Sequence, residues 1–87
     1  MRKVKGMAQN PYNKERRLNL ACAVRYYRRK KGYTQGRLAE LAGVSRQHIV
    51  SVESTKMSRG ISLELVFNIA RALEVEPYML FKFRLET

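Results

Sequence analysis

Residues 42 to 53 read A-G-V-S-R-Q-H-I-V-S-V-E, and within them Arg46, Gln47 and His48 follow directly on Ser45. These side chains suit reading hydrogen-bond patterns rather than breaking bonds. An arginine fork can donate two parallel hydrogen bonds to guanine O6 and N7, and a glutamine amide can donate and accept at adenine N6 and N7. Each such pair is worth about 1–3 kcal/mol of discrimination between bases. His48 could donate to a base or a phosphate and Val50 could touch a thymine methyl, with a solvated histidine and a partly packed valine as the alternatives. Glu40, Glu53 and Glu64 fall on different helical faces with no nucleophile motif and no phosphate-cradling glycine loop, so an enzyme is not expected.

Base-reading side chains need a rigid element to aim them. Ser45 is a good N-cap for a helix whose inward residues, Ile49 and Val52, lie three apart, which turns Gln47 and Ser51 to the opposite side. Thr34 caps the preceding helix, T-Q-G-R-L-A-E-L-A, with Leu38, Ala39, Leu41 and Ala42 on its buried side and Gly43 as its stop. A longer first helix is expected from about residue 12 to 31, with Leu20 or Ala21, Val24 and Tyr27 facing inward and Gly32 ending it. Ser62 caps a fourth helix with the stripe Val66, Ile69, Ala70 and Leu73, and Pro77 opens a short fifth one. The fold class is therefore all-α, five helices in residues 12–81, preceded by a flexible basic arm over 1–11. The tail 82–87 continues an alternation, F-K-F-R-L-E-T, that has strand periodicity and would have to pair with a second copy or lie on its own core.

The 87 residues suffice for one modest core. The longest apolar run is too short to cross a membrane, and the basic N-terminus is not followed by an apolar stretch, so a cytoplasmic protein with no membrane partner is expected. The single cysteine, Cys22, has no internal disulfide partner, and with one histidine no metal cluster or cofactor is expected. Cys22 is read as a small buried or half-buried helix residue. Charge is the strongest compositional signal. Residues 1–31 hold eleven basic residues against Glu15 alone, +10 of a total of +11, so a polyanion would be drawn to one end of the molecule.

Two helices joined by about three residues, with small Ala39 at their approach and Gly43 at the corner, have the local chemistry of a helix-turn-helix, spanning 35–54. In G-Y-T-Q-x-x-L-A-x-x-A-G-V-S-x-x-x-I-x-x-V-E, followed by S-L-E-L-x-x-x-I-A-x-A-L-x-V and a closing L-F, residues 32–81 resemble the lambda-repressor-like, Xre-type DNA-binding domains. The resemblance implies a compact five-helix bundle that binds double-stranded DNA with its third helix in the major groove, commonly as a symmetric dimer on two half-sites. It makes Arg46, Gln47 and Ser51 the base-facing residues, with His48 beside them. It also makes Gln35 a phosphate clamp, and Arg28 with Glu53 an ion pair bracing the first helix to the third. Phosphate contacts are further expected from Thr34 at a helix N-terminus, from Ser45, from Lys56 and Arg59 in the loop after the third helix, and from Lys31.

The chain departs from the family where acidic residues often follow the glutamine. Gly36 and Arg37 stand there, and Arg37 becomes a further phosphate candidate. Thr55 and Ile61 replace a usual glycine and proline, which leaves the loop path least constrained. The function expected is a small sequence-specific transcriptional regulator, a repressor, working as a homodimer. A protein-interaction module, or an antitoxin holding a toxin as partner, is the alternative on the same fold. Tyr78, Met79, Phe81, Phe83 and Leu85 offer more apolar surface than a short fifth helix needs, and the tail is expected to pair across the two-fold.

Overall fold

A computed structural model describes residues 10–56 and 61–84. Side-chain caps set where its helices begin. Asn10 Oδ1 accepts from the Tyr12 amide at 2.8 Å and Pro11 takes the first helical position, so α1 runs Pro11–Lys30. Thr34 Oγ1 accepts from the Arg37 amide at 3.0 Å to open α2, Gln35–Ala42. Ser45 Oγ accepts from the His48 amide at 3.2 Å to open α3, Arg46–Glu53. Ser62 Oγ accepts from the Leu65 amide at 3.1 Å to open α4, Leu63–Leu73, with Glu64 in its first turn. Pro77 starts α5, Pro77–Lys82.

The C-terminal ends share one device. After α1, the Tyr33 amide donates to the Arg28 carbonyl and that of Gly32 to Arg29, with Gly32 at φ +77°. After α2, the Val44 amide donates to Ala39 and that of Gly43 to Glu40, with Gly43 at φ +76°. These are Schellman turns, which need a left-handed residue that glycine adopts without steric cost. The α4 end repeats the pattern through Val75 and Ala70, but Glu74 occupies the left-handed position at φ +60°.

The core sits where all five helices meet. Val24 of α1, Leu38 of α2, Ile49 of α3, Ile69 and Leu73 of α4, and Leu80 of α5 are its largest fully buried side chains. The stripe Val66, Ile69, Ala70 and Leu73 is buried as its helical spacing requires, whereas Leu41, Val52 and Tyr27 are only partly buried at the core's margin. α2 packs on both α3 and α4, while α1 lies across α3 and α5. Cys22 is half-buried on α1.

Two sequence expectations change. Asn10 and Pro11 belong to the cap and first turn of α1, not to an arm, because the asparagine carboxamide satisfies amides that open the helix and proline has none to lose. The alternating tail is not a strand among the described residues. Lys82 ends α5, and Phe83 folds onto α1 with its ring 5.4 Å from Tyr26 and 6.2 Å from Tyr27. The arm's Arg2, Lys3 and Lys5, the loop's Arg59 and the tail's Leu85 lie outside the described residues.

Candidate nucleic-acid interface

α3 is anchored by three residues of its eight. Ile49 is fully buried, Val52 half-buried, and Glu53 is 7% exposed. At about 100° per residue, Gln47 and Ser51 point away from that anchor. Arg46 and Val50 fall to one flank and His48 to the other. Arg46, Gln47 and His48 are all exposed, and Ser51 is partly so.

The anchor includes an ion network. Arg28 Nε donates to Glu53 Oε2 at 2.6 Å and Nη2 donates to Oε1 at 3.0 Å, a bidentate pair with both side chains nearly buried. The remaining guanidinium nitrogen, Nη1, donates to the Tyr33 carbonyl at 2.8 Å. Gln35 Nε2 donates to Glu53 Oε1 at 3.1 Å. The Glu53 carboxylate thus ties the end of α3 to the second half of α1 and the first residue of α2, and Arg28 extends the network to the α1–α2 turn. Gln35 is fixed through its amide nitrogen at the N-terminus of α2, where free backbone amides favour an anion.

Two grooves flank α3. One is walled by the second half of α1 and the start of α2 and is lined by Arg25, Arg29, Thr34, Gln35, Arg46 and Val50. A β-carbon on Gly36 would lie 3.9 Å from Arg46 Cδ and 3.9 Å from Thr34 Oγ1, so the Arg46 stem crosses the start of α2. The other groove is walled by the first half of α1 and the start of α4. Lys14, Arg17, His48, Ser51 and Lys56 line it above an apolar floor that includes Leu20, Val52, Ile61 and Leu65. Gln47 lines neither and stands at the crest between them.

The expected residues therefore divide. Arg46, Gln47, His48, Ser51, Thr34, Gln35 and Lys56 come together on and beside α3. Ser45 acts as the α3 cap. Arg37 donates to Glu40 at 2.9 Å, one turn along on the exposed side of α2. Lys31 is hydrogen-bonded to Glu74 at the end of α4. That hydrogen bond is the main cause of the upward shift of the Lys31 pKa and of the downward shift of the Glu74 carboxyl. Neither Arg37 nor Lys31 lines a groove beside α3. Arg25 and Arg29, four apart, and Lys14 and Arg17, three apart, were not singled out from the sequence. The spacing puts each pair on one helix face, but only packing shows which face borders α3.

A buried-back helix carrying arginine and glutamine outward, between two cationic walls, defines a helix-turn-helix of the DNA-binding kind. The helix-turn-helix family model matches residues 24–80, and the chain belongs to that family, the Xre, lambda-repressor-like DNA-binding regulators. Among solved structures it is similar to the restriction-modification controller protein C.AhdI from Aeromonas hydrophila. The identity is 34% over 75% of this chain and 96% of that one, with a TM-score of 0.69. It is also similar to the hypothetical transcription factor NHTF from Neisseria, at 33% identity over 76% of this chain and 74% of that one, with a TM-score of 0.70. No curated protein sequence matches the chain. Among the described residues no helix is long and apolar enough to cross a membrane.

Proposed function

We propose that this chain is a sequence-specific repressor that inserts α3 into the major groove of double-stranded DNA in the cytoplasm. The observation that carries the reading is the outward set Arg46, Gln47 and Ser51, presented on a helix whose back is pinned by Ile49 and the Arg28–Glu53 pair. Arg46 and Gln47 read base edges, and Ser51 lies beside Gln47 on the same crest. Thr34 and Gln35 take one backbone phosphate, helped by the free end of α2. Lys56 approaches the other strand.

The regulator works as a homodimer. Tyr78 and Phe81, one turn apart on α5, are 61% and 50% exposed, an apolar face that a second copy would cover. A toxin-like protein is the competing occupant of that face. Sedimentation of the purified chain separates the two, since a monomer that dimerises only with a foreign protein contradicts the homodimer. The likeness to a restriction-modification controller favours genes of that kind as targets.

Selection of bound duplexes from a random pool is the decisive experiment. It should return a symmetric site with half-sites about one helical turn apart. Recovery of no preferred sequence, with equal weak binding to all duplexes, would refute specific recognition.

A further inference from the structure

The two grooves beside α3 draw on different halves of α1. The family match begins at residue 24, so the groove with Arg25 and Arg29 is built from matched residues. In the other groove Lys14, Arg17, Leu18 and Leu20 come from the part of α1 ahead of the match, which is more than half of that 20-residue helix. Twenty residues of helix extend about 30 Å. α1 is therefore long enough for its two halves to wall opposite flanks of α3. The Asn10 cap and Pro11 start the helix early enough to include Lys14.

We propose that the first half of α1 is a backbone clamp, in which Lys14 and Arg17 engage phosphates of the strand on the His48 flank of α3. That strand is the one opposite Thr34 and Gln35. The proposal rests on α3 lying in the major groove. A helix about 10–12 Å across fills a groove about 12 Å wide, so the two sugar–phosphate backbones pass along its two sides. Side chains walling α3 on each side then lie over phosphate.

The local chemistry fits an anion. Lys14 and Arg17 stand one turn apart on one helix face, and Lys56 stands on the facing wall with His48 and Ser51. Leu20, Val52, Ile61 and Leu65 give aliphatic stems a surface to lie on. Arg16, between them in sequence, is turned elsewhere, with its guanidinium 5.3 Å from the Tyr12 ring centroid. No acidic side chain lines this groove among the described residues.

Salt dependence tests the clamp. The probe is the tightest duplex recovered by selection with the wild-type chain, and binding is measured over a series of salt concentrations. Each phosphate contact contributes about 0.9 to the slope of log K against log salt. Lys14→Gln with Arg17→Gln should lower the slope by roughly 1.8 per bound chain. Lys14→Gln alone, at an exposed position where glutamine keeps helix propensity, should lower it by about 0.9. Arg71→Gln, exposed on α4 and outside both grooves, should leave the slope unchanged. Phosphate-ethylation interference should lose one cluster of positions in the double variant and keep the cluster opposite. Unchanged slopes and an unchanged interference pattern overturn the clamp, as does an equal fall on Arg71→Gln. If the wild-type chain itself binds no duplex at low salt, the DNA-binding reading fails first, and the two failures are distinguishable.

Discussion

Glu53→Gln removes one charge and almost no volume, which makes it a clean test of what holds α3. The wild-type carboxylate accepts three hydrogen bonds, at 2.6 and 3.0 Å from Arg28 and at 3.1 Å from Gln35. A glutamine there keeps one acceptor oxygen and turns an NH2 group toward donors, leaving a guanidinium with its side chain 10% exposed and no counter-charge. Breaking a buried pair from one side costs about 3–5 kcal/mol. At roughly 0.05–0.15 kcal/mol per residue, a chain of this length has about 4–13 kcal/mol in all, so the variant should lose a large share of its stability. Gln35→Ala, which deletes one hydrogen bond to a charged acceptor and leaves the ion pair whole, should cost about 1.5–3 kcal/mol. Arg28→Met with Glu53→Leu removes both charges and should recover most of the single variant's loss. Urea unfolding followed by circular dichroism gives these differences, with an unchanged denaturant slope showing that the unfolded state is the same. A loss below about 1 kcal/mol for Glu53→Gln, or a double variant no better than the single one, would refute the assignment of the pair as the anchor.

Gln47→Ala should relax preference at individual base positions of the selected site, whereas Lys56→Gln should weaken all sequences alike and lower the salt slope by about 0.9; competition among duplexes over a salt series separates them. The two glycines of the helix-turn-helix should respond with opposite sign in thermal unfolding. Gly43→Ala forces a β-carbon into the left-handed region and should cost about 1–2 kcal/mol, while Gly36→Ala meets only ordinary contacts at 3.9 Å and should gain about 0.5–1 kcal/mol. For the Lys31–Glu74 pair, the carboxyl pKa is lowered from 4.5, so its contribution is present above that value and lost as pH falls through the lower folded one. The ammonium pKa is raised from 10.5, so its contribution is present below that value and lost as pH rises through the higher folded one. The melting temperatures of wild type and Glu74→Gln should therefore differ across the neutral range and converge in acid. Phe81→Lys should shift the chain toward monomer in sedimentation, and a dimer that persists would remove α5 from the interface.

Local signals made most of the helices legible. Thr34, Ser45 and Ser62 cap where hydroxyls precede apolar periodicity, and Gly32 and Gly43 mark ends because the left-handed turn favours them. Asn10 and Pro11 are ambiguous in sequence, because Asn-Pro is both a breaker and a cap followed by a first-turn proline. The tail misled for a related reason: Phe81 and Phe83 alternate with charges, yet Leu80 and Phe83, three apart, face the core from the end of a helix. In the site, crest and flank positions on α3 followed from helical geometry. The partner of Lys31 lies 43 residues away and could not be read from spacing, whereas Glu40, three residues from Arg37, could have been. Arg25, Arg29, Lys14 and Arg17 needed the crossing of α1 over α3. The Arg28–Glu53 pair spans 25 residues and was expected through family resemblance, not from the residues themselves.

The three-point attachment of α3 also bears on how such a protein changes its target. Ile49, Val52 and Glu53 secure the helix, while Arg46, Gln47, His48, Val50 and Ser51 contribute little to the core. Those five positions can vary with small stability penalties, so on the proposed reading new operator preferences are reachable by single substitutions without passing through unfolded intermediates. The same separation makes the chain a practical scaffold for reprogramming, in which a library confined to the outward residues of one short helix is screened against chosen DNA sites.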